Sequence, residues 1–250
     1  MSDTTPGPMF FVRAAATWTA DDGAPKSDRL GSTRVATTRL GRMAAHVVAA
    51  LPTLADLRRT RPTWIIASAM GPLDAIVSEL RAPGTSVRPE ALCADGPANE
   101  LAARLGGLMP FVPVGAGPRT VAMALIEAAA WLASGREDVV LVVAEAETPA
   151  ALHPADRFEP LAVALHLAAD PGRSDLAVLA GPDAVRVTPT RATGPHAGSP
   201  AWPALRIAQA ALAGEVATVS LDPADGPPGA GVAVPPAWVA QIKPVDSPPA

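Results

Sequence analysis

Short apolar blocks alternate with polar loops through most of this chain, and the spacing of the apolar positions changes from block to block. Phe10 to Trp18, within MFFVRAAATW, alternates and reads as a first strand, and the polar stretch Thr19 to Ser32 reads as a loop. From Thr33 to Ala50 the residues Val35, Leu40, Met43, Ala44, Val47 and Val48 recur at helical spacing, and Pro52 bounds the element. Pro62 opens TWIIASAMG, an apolar run of strand length that ends at Gly71. A helix is expected from Leu73 to Leu80 and a short one at Pro97 to Leu105.

The strongest pattern runs from Phe111 to Pro149, FVPVGAGPRTVAMALIEAAAWLASGREDVVLVVAEAETP. A short strand, Phe111 to Val114, meets a tight Gly115-Ala116-Gly117 turn. A long apolar helix follows from Arg119 to Ser134, then a buried strand from Val139 to Ala144. Arg157 to Ala169 supplies one more strand, which Ser174 to Ala180 extends. Beyond Gly181 the pattern fades into Pro, Gly and Thr, leaving a helix at Pro203 to Ala213 and a strand at Val216 to Leu221. Asp222 to Pro236 and the tail after Ile242 are too rich in proline and glycine for regular elements.

Strands alternating with helices predict an α/β fold built from parallel crossover units, with a mixed, mainly parallel sheet covered on both faces. Residues 1–180 are expected to form that domain, with 181–250 as a Pro/Gly-rich extension whose one helix packs on it. Within the core helix, from Val121 to Leu132, Glu127 is the only charge, and Val121, Met123, Leu125, Ile126, Trp131 and Leu132 point to every side. Such a helix is expected to be buried all round. One sheet covers one side of it, so the other side requires a second layer, from this chain or a partner.

Composition narrows the function classes. Among 250 residues, 49% are hydrophobic and 18% charged, which suits a folded core. Twenty basic against 24 acidic residues, a net charge of −4, give no basic block for nucleic acid. The single cysteine, Cys93, excludes an internal disulfide framework and a Cys-rich zinc site. No run reaches the ~18 apolar residues of a membrane helix, and the N-terminus lacks a signal-peptide pattern. A cytoplasmic location is the expectation.

Little in the chain has the spacing of a catalytic or ligand site. The turn before the core helix offers only Gly117, Pro118 and Arg119, and none is a nucleophile, because acyl transfer needs an activated thiol, hydroxyl, amine or carboxylate. As a phosphate cradle it lacks a third glycine, since Thr120 stands there, and Pro118 removes an amide. Cys93 has Asp95 beside it, which disfavours a thiolate. His46, His153, His166 and His196 show no helical metal pairing, so no metal site and no cofactor are expected. Glu145 and Glu147 end a strand at the edge where α/β proteins place their sites, with Asp138 at its start, and two carboxylates one residue apart point alike on a strand. Ser68 lacks a G-x-S-x-G elbow and assigned partners.

The SAMG turn at Ser68 to Gly71, the GAG turn at Gly115 to Gly117, the helix Val121 to Gly135 and the strand VVLVVAEAETP ending in Glu145 and Glu147 resemble the N-terminal half of the β-ketoacyl synthase, or thiolase-fold, family. Most similar are the short ketosynthase-like subunits known as chain-length factors in aryl-polyene type clusters, and the likeness runs from about Phe10 to Ala169. The resemblance implies a thiolase-like fold in which the elbow cysteine falls at about Pro118 and is missing. The half that brings the family's histidines is absent, and the chain is shorter than the family usually is. It further implies a dimer in which Phe111, Val112, Pro113, Val114 and Gly115 form the partner interface. The expected function is a non-catalytic subunit that pairs with an active ketosynthase in polyene, polyketide or fatty-acid chain elongation, meeting acyl carrier protein through that complex. The alternative is an acyl carrier protein-dependent acyltransferase or decarboxylase using a non-cysteine residue such as Glu145 or His166.

Overall fold

Two wholly apolar strands anchor the sheet. β4 (Asp138–Glu145) and β5 (Leu161–Ala168) are buried along their entire lengths, as strands covered on both faces are. Alternation divides them between two cores: Val139, Leu141 and Val143 face one, and Val140, Val142 and Ala144 face the other. The computed structural model describes residues 9–25, 38–73, 76–77, 81, 96–105, 110–148, 158–172, 175–185, 196, 198–221 and 237–245.

Around these strands lie β1 (Met9–Thr19), β2 (Thr63–Ala67), β3 (Phe111–Val114), β6 (Ala177–Val185), β7 (Ala217–Ser220) and β8 (Ala237–Pro244). All eight form one sheet in the order β3-β2-β4-β5-β1-β6-β8-β7. Helices α1 (Arg39–Ala50), α2 (Leu54–Thr60) and α3 (Gly96–Leu105) pack on one face. The core helix α4 (Thr120–Ala133) and α5 (Trp202–Ala213) pack on the other.

The α/β class and the mixed sheet agree with expectation, but the balance of directions does not. Only β2–β3 and β2–β4 are parallel, while the other five pairings are antiparallel. Parallel neighbours require a crossover, which α3 and α4 provide for β2, β3 and β4. Between β4 and β5 no helix occurs among the described residues, and β5 returns antiparallel beside β4. The long β1 then inserts between β5 and β6 and runs antiparallel to both. β6 is therefore a separate strand and does not extend β5. Two elements are additional to those predicted: α2, a helix of only 7 residues, and β8, whose pairing with β6 and β7 carries the sheet past Ile242. The expected start of the first helix at Thr33 and most of Leu73 to Leu80 lie outside the described residues.

The core helix also differs from expectation. Val121, Ala122, Ala124, Leu125, Ala128 and Leu132 are buried against the sheet, but Met123 is 43% exposed. Ile126 and Glu127 are half-buried and Ala130 is exposed. These outer positions recur at helical spacing and form a stripe along one side. The helix is thus buried on one side only, because a single sheet reaches no further round the cylinder.

Helix α1 starts at a cap shared between distant residues. The Thr38 hydroxyl accepts from the Gly41 amide at 3.0 Å. The Thr38 amide in turn donates to the Glu100 carboxylate of α3 at 3.0 and 3.2 Å. Glu100 lies so close to α1 that a Cβ on Gly41 would fall 1.6 Å from its Oε2, so the position admits no side chain without a shift.

Candidate functional site

Strands β2, β3 and β4 run parallel in register, Ala67 beside Val114 and Val143, so their C-terminal ends share one edge of the sheet. That edge is where α/β proteins usually hold ligands. It carries the 68–71 turn, the 115–119 turn and the end of β4.

The 115–119 turn is the strand-turn-helix elbow. Gly117 takes a left-handed φ of 54°, which favours glycine, and a single 3-10 turn Gly117–Arg119 leads into α4. Thr120 ties the elbow shut: the Ala116 amide donates to its Oγ1 at 3.0 Å, and that hydroxyl donates to the Gly117 carbonyl at 2.7 Å. The Ala116 amide is therefore used internally. Pro118 and Arg119 are exposed, and neither supplies a nucleophile. Gly115 packs against the neighbouring turn, where a Cβ would sit 3.4 Å from the Ser68 carbonyl.

Glu145 closes the next turn. Its carboxylate accepts from the Ser68 hydroxyl at 3.1 Å and from the Ala69 amide, and the Gly71 amide donates to the same Ser68 oxygen at 2.9 Å. The side chain is fully buried. Burial pushes its pKa up to about 7 against the opposing hydrogen bonds of Ala69, Ser68 and Met70. Glu147 behaves differently. It lies beyond the end of β4, its side chain is exposed, and it pairs with Arg39 at 2.6 Å. The two carboxylates expected to point alike thus diverge, because the strand ends at Glu145. Glu145 itself is enclosed by the 68–71 turn.

A second polar group forms at the opposite edge, at the start of β4. Asp138 Oδ1 lies 2.9 Å from His166 Nε2 and 2.8 Å from Arg13 Nη1. His166 Nδ1 lies 3.0 Å from the Thr53 hydroxyl. Burial raises the Asp138 pKa, but the hydrogen bond and charge of His166 and the charge of Arg13 outweigh it and hold the carboxyl below its ordinary value. This line of side chains joins α2, β5, β4 and β1. Sequence reading did not assemble it: the partners lie 125, 113 and 28 positions apart, and no local motif links them.

The remaining candidates stand apart. His46 meets Trp18 edge-on with ring centroids 6.5 Å apart. His196 is buried, with Nδ1 3.5 Å from Glu159 Oε2. Cys93, Asp95 and His153 lie outside the described residues. Among the described residues no group of three His, Cys, Asp or Glu could hold a metal, and no helix is long and apolar enough to cross a membrane.

β3 ends the sheet, with β2 as its one strand neighbour among the described residues. The Trp64 amide donates to the Pro110 carbonyl, and the Ser68 amide to the Val114 carbonyl, both at 3.0 Å. Given the register Trp64 to Phe111 through Ala67 to Val114, the alternation of a parallel ladder points the amides of Val112 and Val114 toward β2. It turns the main-chain groups of Phe111 and Pro113 outward. Proline is tolerated at position 113 because its nitrogen faces away from the ladder.

Residues 106–222 match the model of the "Beta-ketoacyl synthase, N-terminal domain". No match was found among the curated proteins. In shape the chain is similar to the ketosynthase (ApeO) in complex with its chain length factor (ApeC) from Xenorhabdus doucetiae, at 22% identity and TM-score 0.49, covering 75% of this chain and 74% of that one. It is also similar to the ishigamide ketosynthase/chain length factor, at 14% identity and TM-score 0.47, covering 69% and 66%. A β-ketoacyl synthase from Burkholderia phymatum matches at 14% identity and TM-score 0.44, covering 75% and 66%. The chain spans only part of the length of the ketosynthase structures that it matches.

Proposed function

We propose, for a chain whose residues 106–222 match the β-ketoacyl synthase N-terminal domain model, that it is a non-catalytic subunit of the chain-length-factor type. It docks on an active ketosynthase and helps to shape the pocket for a growing acyl or polyene chain on acyl carrier protein. The observation that carries this reading is the elbow: the turn between β3 and α4 offers Gly117, Pro118 and Arg119, none of which is a nucleophile, and Thr120 ties its backbone together. Two further features support docking. β3 has no second strand neighbour among the described residues, and Met123 and Ala130 are exposed with Ile126 half-buried between them, so the outer stripe of the core helix keeps accessible apolar surface. The test is co-expression with a ketosynthase of such a cluster, followed by size-exclusion chromatography and an elongation assay with acyl- and malonyl-loaded carrier protein. A defined heteromer that elongates, with no product from this chain alone, is the expected result. Turnover by this chain alone would overturn the reading.

One observation favours the second reading, an acyl carrier protein-dependent acyltransferase or decarboxylase. Glu145 sits at the ligand-holding edge of the sheet with a pKa near neutrality, as a general acid or base does. Against it, both oxygens of Glu145 are engaged by the 68–71 turn and the side chain is fully buried. His166, the other candidate, lies at the far edge with Asp138 and Thr53.

A further inference from the structure

Edge strands recruit other strands, and a protein that must pair with one chain and not with itself needs a means of telling them apart. β3 carries such a means. Its outward-facing residues are Phe111 and Pro113, and Pro113 has a carbonyl to offer but no amide hydrogen. In a two-fold pair of identical strands every defect occurs twice. If Pro113 faces Pro113 of a second copy, both hydrogen bonds of that central pair are lost. If it faces Phe111 of a second copy, one bond is lost at each of two equivalent positions. Self-pairing in either register therefore lacks two hydrogen bonds. Pairing with a different strand, one that presents an amide to the Pro113 carbonyl, lacks only one.

We propose that Pro113 makes β3 selective for the antiparallel edge strand of a different chain over a second copy of this one. The inference rests on the reading that β3 is the docking strand and adds the reason that docking is heteromeric. A net contribution of about 1 kcal/mol per hydrogen bond converts one regained bond into a roughly fivefold gain in affinity and two into a roughly thirtyfold gain. Pro113→Val restores the amide without changing charge. It should tighten self-association roughly thirtyfold and ketosynthase binding only about fivefold.

The experiment is sedimentation velocity on the full chain as wild type, Pro113→Val, Phe111→Pro and the double variant, with circular dichroism confirming the fold. Binding to the co-expressed ketosynthase is measured in parallel. The expected pattern is self-pairing that appears with Pro113→Val and is removed by adding Phe111→Pro, which deletes the other outward amide. A Pro113→Val chain with unchanged self-association overturns the inference, as does self-association that survives Phe111→Pro, since the new contact then lies elsewhere. If Phe111→Pro alone leaves ketosynthase binding intact, the docking reading itself fails. If it abolishes binding while Pro113→Val gains no self-association, docking stands and the selectivity argument falls.

Discussion

Ser68 and Glu145, 77 positions apart, meet at 3.1 Å where β2 and β4 end together. The hydroxyl donates to the carboxylate and accepts from the Gly71 amide at 2.9 Å, so one buried side chain sets the shape of the turn that packs on Gly115 beside the elbow. Because the carboxylate is desolvated, its protonation is coupled to folding.

The first prediction follows from that coupling. Glu145 has a folded pKa of about 7 against an ordinary value of 4.5, so the folded state binds the proton more tightly than the unfolded one. Its favourable contribution is complete below pH ~4.5 and is lost as pH rises to ~7, on the order of 3 kcal/mol in all. Glu145→Gln keeps an acceptor for the Ala69 amide and carries no charge. Chemical denaturation across this range should show a falling stability in the wild type and a flatter profile in the variant, and equal slopes would refute the coupling.

Proline scanning should separate the two sides of β3. The Val114 amide points into the β2 ladder, so Val114→Pro should lower the chain's own stability by about 1–3 kcal/mol. The Phe111 amide points outward, so Phe111→Pro should leave the ladder standing and weaken capture of the ketosynthase in a pull-down. Equal losses of stability from both would contradict the deduced direction of the amides.

Restoring a thiol at the elbow should not restore chemistry. Pro118→Cys places a nucleophile on the exposed turn, but nucleophilic catalysis also requires an adjacent base. Glu145, the buried carboxyl at this edge of the sheet, is occupied by the 68–71 turn. Elongation assays of the variant alone should stay at background, and measurable product would count against a non-catalytic elbow.

The outer stripe of α4 offers a test of partner burial. Met123 is 43% exposed, so Met123→Glu should change the stability of the isolated chain by no more than about 0.5 kcal/mol. Against a partner that covers the stripe, the buried charge should weaken binding by roughly tenfold or more. Calorimetric binding unaffected by the substitution would place the partner elsewhere.

Breaking the opposite edge should be costly. Asp138 is buried between His166 and Arg13, and Asp138→Asn should destabilise the chain by about 1–3 kcal/mol by removing the charge that both share, Arg13 keeping Asp175 at 3.7 Å. With its folded pKa depressed, Asp138 contributes stability that is present above its ordinary pKa of 3.8 and lost as the solution is acidified further. The variant's acid unfolding should therefore lose part of this slope.

Much of the architecture was legible from periodicity. The alternation in β4 and the spacing of Leu40, Met43, Ala44, Val47 and Val48 in α1 are local, because side-chain direction repeats every 2 residues in a strand and every 3.6 in a helix. The same holds for the strand-turn-helix at Phe111 to Ala133, which needs nothing beyond the residues themselves. α2 escaped notice because it is only 7 residues long, and β8 because it follows a proline-rich stretch.

Strand neighbours and directions carry no such local signature. Nothing in MFFVRAAATWT states that β1 will lie between β5 and β6, since pairing depends on which apolar faces are left to cover once the other elements have packed. Side-chain encounters across the sheet are decided in the same way. Glu145 reads only as the end of a strand until the 68–71 turn folds over it, and Thr53, His166, Asp138 and Arg13 form one group only because the start of α2 and three strands converge. The outward amide of Phe111 and the missing one of Pro113 likewise acquire meaning once β3 is known to be an edge, because the strand on its other side fixes which way each main-chain group points.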